Sequence, residues 1–207
     1  MEYTVWGLCG ALAAGYLLGS VPCGYLIGLA RGVDLRKTGS GNIGATNVFR
    51  CVGKGWGIFA FVLDAVKGFV PAFFAGRVLA GAPDWLGLAC GAAAVAGHNW
   101  PVWLGFKGGK GVSTSVGMLL GVAPAAAGIG LGVFAVAVVA TRWVSLGSIL
   151  AAAAVGGSAW WLYGAQKPPV VAWALTALAA LVVWRHRANT GRLLKGTEPK
   201  IVGKGKG

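Results

Sequence analysis

Long apolar runs separated by short basic segments constrain this chain more than any other feature. Apolar stretches lie near 4–30, 56–81, 144–163 and 169–184, with a shorter one near 84–98 and a long run over 112–140. About 20 apolar residues cross the hydrocarbon of a bilayer as one helix, and backbone polar groups at that depth must be satisfied internally. The pattern therefore predicts an all-α, polytopic helical membrane protein. Composition agrees: 57% of the 207 residues are hydrophobic and 11% charged, too little polar surface for a soluble domain of this length. The first stretch follows Met1-Glu2-Tyr3, has no basic leader and is too long for a signal peptide, so it reads as a first transmembrane helix.

The run over 112–140 is long for one helix, and Pro124 beside Gly121 favours a break. Charge parity supports that division. Segment 31–55 carries five basic residues, 99–111 two and 185–207 seven, together fourteen of the 18. The positive-inside rule places all three on the cytoplasmic side, which requires an even number of crossings between the second and the third. A hairpin turning near Pro124 supplies it and puts Arg142 inside too, leaving Lys67, Arg77 and Lys167 elsewhere. The expectation is seven hydrophobic segments in one integral membrane domain, 1–207, with the N-terminus outside and the C-terminus cytoplasmic. The two halves of 112–140 are short for full crossings and are expected to be tilted or only partly inserted. Most tryptophans fall near segment ends, where headgroups hold indoles.

A net charge of +13 suits nucleic acid, anionic lipid or an anionic substrate. Nucleic acid is not expected as a partner, because the basic residues are scattered over loops between apolar runs. Cys9, Cys23, Cys51 and Cys90 form no C-x-x-C pair, so neither a disulfide framework nor a zinc site is expected. Five acids spread along the chain cannot supply a carboxylate cluster for magnesium. No metal and no cofactor are expected.

Three polar segments carry the candidate chemistry. In the first, Thr38 to Arg50, glycines permit tight turns and close backbone approach, Ser40, Asn42 and Asn47 offer neutral hydrogen-bonding groups, and Arg50 offers a planar fork for phosphate or carboxylate. It reads equally well as a connecting loop in which Ser40 and Asn47 cap helices. In the second, 97–114, Lys107-Gly108-Gly109-Lys110-Gly111 opens through Val112 into Ser113 and Thr114 of an apolar helix. A glycine-preceded helix start offers N–H groups and a positive dipole end to phosphate. It is not a Walker A loop, since Gly111 follows Lys110 and Leu104 stands where the first glycine belongs. In the third, 185–198, His186 and Asn189 share a helical face if the last apolar segment continues inward; beyond Glu198 lies the basic tail 199–207. Within the second apolar run Asp64 and Lys67 stand three apart, which reads first as an internal ion pair and second as a proton path.

Together these segments resemble the acyl-phosphate:glycerol-3-phosphate acyltransferase family. The resemblance rests on S-G-N-I-G-A-T-N with Arg50, on G-H-N-W-P with F-K-G-G-K-G-V-S-T, and on H-R-A-N-x-x-R-L-L-x-G-T-E. These motifs cover about a quarter of the chain. Trp103 and Ser113 stand where the family pattern has Phe and Ala, which touches no polar role. The resemblance implies transfer of a fatty acyl group from acyl phosphate to the 1-hydroxyl of glycerol 3-phosphate. The products would be lysophosphatidic acid and phosphate, with neither coenzyme A nor acyl carrier protein as direct donor. It implies active-site roles for Ser40, Arg50, His186 and Asn189. It implies phosphate binding by Gly108, Gly109, Lys110 and Gly111 and a structural part for Glu198; Lys107, Ser113, Thr114, Asn42 and Asn47 are the further phosphate-binding candidates, and Asp64 and Lys67 are expected to give structural support as a pair. It places the chain in the bacterial inner membrane, among membrane lipids. There it would act as a monomer able to associate with the enzyme that makes acyl phosphate.

The H-x-x-x-x-D signature of acyl-CoA-type acyltransferases is missing, since Trp103 lies five after His98 and Gly191 five after His186. The competing reading is an anion (phosphate-ester) transporter or channel, whose broken helices aim their N-termini at an anion. No internal repeat supports it, and the three polar segments are expected at one membrane surface.

Overall fold

A computed structural model describes residues 4–79, 81–166 and 168–201. Lys167 and positions 202–207 of the basic tail lie outside them. Among the described residues, ten α-helices and one short 3-10 turn (Val102–Leu104) account for the regular structure: α1 Val5–Ser20, α2 Cys23–Ala30, α3 Ala45–Cys51, α4 Lys54–Val78, α5 Leu86–Asn99, α6 Val112–Val122, α7 Pro124–Thr141, α8 Val144–Tyr163, α9 Val170–Arg185 and α10 Arg187–Leu194. No strand occurs among the described residues. Among the described residues four helical stretches are long and apolar enough to cross a membrane: Val5–Ala30, α4, α7 and α8. The bent pair α9 and α10 makes a fifth if it is counted as one span. Every predicted apolar segment is helical, but α5 and α6 are shorter than a crossing. The 11 residues of α6 rise only about 17 Å, against a hydrocarbon thickness of about 30 Å.

Two breaks follow from proline. The expected one separates α6 from α7 between Val122 and Pro124. The other is a correction, because the run 4–30 reads as one helix in the sequence and is divided between Ser20 and Cys23. Pro22 has no N–H to continue the ladder and pushes Val21 out of the helical region, to φ −58° and ψ 116°. The described residues form two compact units that divide between Pro124 and Ala125.

In the first unit α4 packs on α5 and α6, and α1 on α5. Helices in lipid gain little from apolar burial and approach through small residues. The two closest pairings use glycines reciprocally. A Cβ on Gly68 of α4 would overlap the Thr114 carbonyl of α6, and one on Gly117 of α6 would overlap the Ala65 carbonyl of α4. Gly19 and Gly97 stand likewise against Ala94 and Tyr16 across α1 and α5. Leu86, Cys90, Val95 and Met118 fill the space between. All four cysteines are free.

In the second unit α8 packs on α9. The Trp160 indole donates to the Thr176 hydroxyl at 3.1 Å and meets Trp173 edge to face at 4.8 Å. The chain after α10 folds back onto the start of α8. The Ile201 amide donates to the Arg142 carbonyl at 2.7 Å, and the Trp143 indole donates to the Glu198 carbonyl at 3.2 Å.

Candidate functional site

The loop between α2 and α3 is organised by Asn47. This side chain is buried. Its Oδ1 accepts the Ser40 amide at 3.0 Å, and its Nδ2 donates to the carbonyls of Leu35 (3.2 Å) and Thr38 (2.9 Å). Its hydrogen-bonding capacity therefore goes into folding the loop. Gly39 and Gly41, both with positive φ (63° and 70°), flank Ser40 and let the chain present it at an exposed tip. Asn42 Oδ1 accepts the Gly44 amide at 2.9 Å. Helix α3 is capped by the backbone of Gly44 without a side chain, so neither Ser40 nor Asn47 is a helix cap, contrary to one reading of the sequence. Arg50 stands half-buried in the last turn of α3.

The second loop runs from α5 to α6. The amides of Gly108 and Gly109 donate to the carbonyls of Asn99 (3.2 Å) and His98 (3.0 Å). These two amides are thus taken up by carbonyls at the end of α5, and the two glycines serve by close packing. Gly111, left-handed at φ 79°, is the N-cap of α6, and the first turn of that helix holds Val112, Ser113 and Thr114. Lys107 is exposed, Lys110 and Ser113 half-buried, and Thr114 fully buried. The sequence reading missed Asn99. Its side chain is fully buried with neither polar atom hydrogen-bonded, and a Cβ on Gly111 would stand 3.0 Å from its Nδ2. The hydroxyls of Thr114 and Ser115 are also buried and unpartnered. Buried polar groups without partners are uncommon, and here they gather at the helix start expected to take phosphate.

The expected ion pair is present. Lys67 Nζ lies 2.9 Å from Asp64 Oδ1 and also donates to the Val21 carbonyl at 2.7 Å, where Pro22 has broken the helix. His98, given no role in the sequence reading, brings its Nδ1 to 3.6 Å from the same Asp64 oxygen.

In the second unit the last span does not continue straight. The chain bends by 55° between α9 and α10, and His186 sits at the corner. His186 is buried, with Nδ1 2.8 Å from the Val182 carbonyl. A carbonyl only accepts, so the neutral ring carries its proton on Nδ1 and a lone pair on Nε2. Asn189 Nδ2 donates to Glu198 Oε1 at 2.7 Å, and Arg192 Nε meets Oε2 at 2.7 Å. Burial opposes ionisation of Glu198, but the contacts from Asn189, Ser145 and Arg192 outweigh it and hold the carboxyl below its ordinary value of 4.5. A lowered carboxyl stabilises the fold above its unfolded value and loses that effect as pH falls through the folded one. The docked segment after α10 is therefore expected to hold at neutral pH and to loosen as pH falls below that ordinary value and through the lowered one. Limited proteolysis across pH checks this, and cleavage of Glu198→Gln that varies with pH as in the native protein would contradict it. Among the described residues no group of His, Cys, Asp and Glu side chains could hold a metal ion.

Comparison with known proteins follows the same residues. A family model described as glycerol-3-phosphate acyltransferase matches residues 9–196. The glycerol-3-phosphate acyltransferase of Anaeromyxobacter dehalogenans (strain 2CP-C) is 50% identical over 194 residues, 92% of this chain and 95% of that one. Among solved structures, the glycerol 3-phosphate form of PlsY (YgiH), an integral membrane glycerol 3-phosphate acyltransferase, is 40% identical. It covers 94% of this chain and 96% of its own, with a TM-score of 0.86. The lysophosphatidic acid form of PlsY is 39% identical over 94% and 95%, with a TM-score of 0.83.

Proposed function

Because the chain belongs to the glycerol-3-phosphate acyltransferase family, we propose that its acyl donor is acyl phosphate and its acceptor the 1-hydroxyl of glycerol 3-phosphate. It is a membrane acyltransferase of phospholipid synthesis, and lysophosphatidic acid is the product. The observation that carries the reading is the loop before α6, where Lys110, the glycine cap and the unpartnered Asn99 and Thr114 side chains meet a helix start. Such a place suits a phosphate monoester. Anion transport is not favoured.

The whole chain acts as one domain with seven hydrophobic segments, N-terminus outside and C-terminus cytoplasmic, in the bacterial inner membrane. The weight of basic residues in 31–55, 99–111 and 185–207 supports that orientation and a cytoplasmic active site. It acts as a monomer, free to associate with the enzyme that makes acyl phosphate.

Acyl phosphate is a mixed anhydride with a good leaving group, so catalysis needs positioning and oxyanion stabilisation more than a strong protein nucleophile. The glycerol oxygen attacks the acyl carbon, the bond from that carbon to the phosphate oxygen breaks, and phosphate departs. His186 takes the hydroxyl proton on Nε2, a role supported by its Nδ1 contact to Val182. Ser40 and Asn189 donate to the anionic centres. Arg50 binds a phosphate by its fork, and Lys107 and Lys110 provide charge for the acceptor phosphate. Gly108, Gly109, Gly111, Ser113 and Thr114 shape that loop, and Asn42, Asn47 and Glu198 hold the presenting segments.

The test is acyl transfer by protein in lipid, using palmitoyl phosphate and radiolabelled glycerol 3-phosphate. Ser40→Ala and Lys110→Ala are each expected to lower kcat/KM by about a hundredfold. Wild-type rates in folded variants would remove both residues from the site. Donor alone is expected to leave no acyl label on Ser40, and a label that chases into product would replace direct attack by an acyl-serine intermediate.

A further inference from the structure

One face of α4 touches three pieces of the first unit. Asp64, Lys67 and Gly68 share that face at helical spacing. Asp64 meets His98 at the end of α5, Lys67 meets the Val21 carbonyl at the break between α1 and α2, and Gly68 abuts the Thr114 carbonyl in the first turn of α6. Asp64, Lys67 and His98 are 1%, 4% and 6% exposed. Charged groups so deep in an apolar helix are costly and are kept where they line or hold a working part.

His98 carries the arrangement to the phosphate loop in two ways. Its backbone carbonyl accepts the Gly109 amide at 3.0 Å. Its imidazole lies directly under Gly109, so that the three atoms nearest to a Cβ added there all belong to that ring, with Nε2 the first. The ring edge bearing Nδ1 faces Asp64 and the edge bearing Nε2 faces Gly109. The next two residues are Lys110 and the N-cap Gly111.

We propose that His98 is a positioning residue for glycerol 3-phosphate, a strut set by the Asp64–Lys67 pair that fixes the height of Gly109 and hence the place of Lys110. The inference rests on reading this loop as the acceptor site. The ring touches no substrate. It decides where the loop stands, so its loss weakens acceptor binding and leaves the donor and the chemical step alone.

Steady-state kinetics on His98→Ala, Gly109→Ala and the double variant, in lipid, separate this from a merely structural role. Each single change is expected to raise KM for glycerol 3-phosphate about tenfold or more, with kcat and KM for palmitoyl phosphate within about threefold of wild type. Gly109 has no positive φ, and the three atoms nearest to a Cβ there all belong to the ring, so the His98 ring is the first thing that opposes alanine. The double variant should therefore regain acceptor affinity relative to Gly109→Ala, a coupling that separate sites do not show. An unchanged acceptor KM in His98→Ala overturns the proposal. So does a rise in both KM values together, and so does a double variant no better than Gly109→Ala. If Gly109→Ala does not fold, recovery of folded protein in the double variant supports the contact and its absence refutes it. No product from wild type would instead defeat the acyltransferase reading itself.

Discussion

Lys67→Met is expected to lower the melting temperature of the detergent-solubilised protein by on the order of 10 °C, the equivalent of about 3–5 kcal/mol. The change removes the ammonium 2.9 Å from Asp64 and leaves that carboxylate without its lysine charge among apolar helices, facing the His98 ring at 3.6 Å. It also removes the donor to the Val21 carbonyl at the Pro22 break. Removing one member of a buried pair is far more harmful than replacing both, because the penalty comes from the charge left behind. Asp64→Leu with Lys67→Met should therefore recover most of the loss. Melting curves of the three proteins decide it. A double variant as unstable as Lys67→Met would mean that the shape of the lysine and its Val21 contact matter, and not the unpaired charge.

Gly117→Ala is expected to cost about 3 kcal/mol, at the upper end for overpacking. A Cβ there would overlap the Ala65 carbonyl and stand 2.9 Å from the Phe69 amide nitrogen. Both are backbone atoms of α4, so no side-chain rotation relieves the clash and α6 must move away. That movement also shifts the first turn of α6, so acceptor binding should suffer with stability. Gly132→Ala is the control, since nothing lies within 4 Å of a Cβ in that part of α7. There alanine should be neutral or stabilise by up to about 1 kcal/mol. Equal melting temperatures for the two variants would contradict the packing described between α4 and α6.

Hydropathy made the helical segments legible, because each is a continuous apolar run. Of the two halves of 112–140 expected to fall short of a crossing, α6 does and α7 does not, and hydropathy did not reveal that the first run breaks at Pro22. Hydropathy averages over the backbone hydrogen bond that proline removes. The Asp64–Lys67 pair was legible because three residues is a helical neighbour distance. The share of His98 in it was not, because that contact is made by packing between α4 and α5. The glycine loops show the same limit. Composition marked both as places where a phosphate fits, but not which polar groups fold the loop and which face a ligand. Asn47 spends its side chain on Ser40, Leu35 and Thr38, and Gly108 and Gly109 spend their amides on carbonyls at the end of α5. Asn99, which passed as one letter of a loop motif, is buried with its amide unpartnered.

The most direct test of the central claim is the donor. Protein in lipid would receive radiolabelled glycerol 3-phosphate with EDTA present, and separately palmitoyl phosphate, palmitoyl coenzyme A or palmitoyl acyl carrier protein. Labelled lysophosphatidic acid from palmitoyl phosphate alone is the expected result. Product from a thioester donor at a comparable rate, or loss of the acyl-phosphate reaction in EDTA, would contradict the mechanism drawn from these residues.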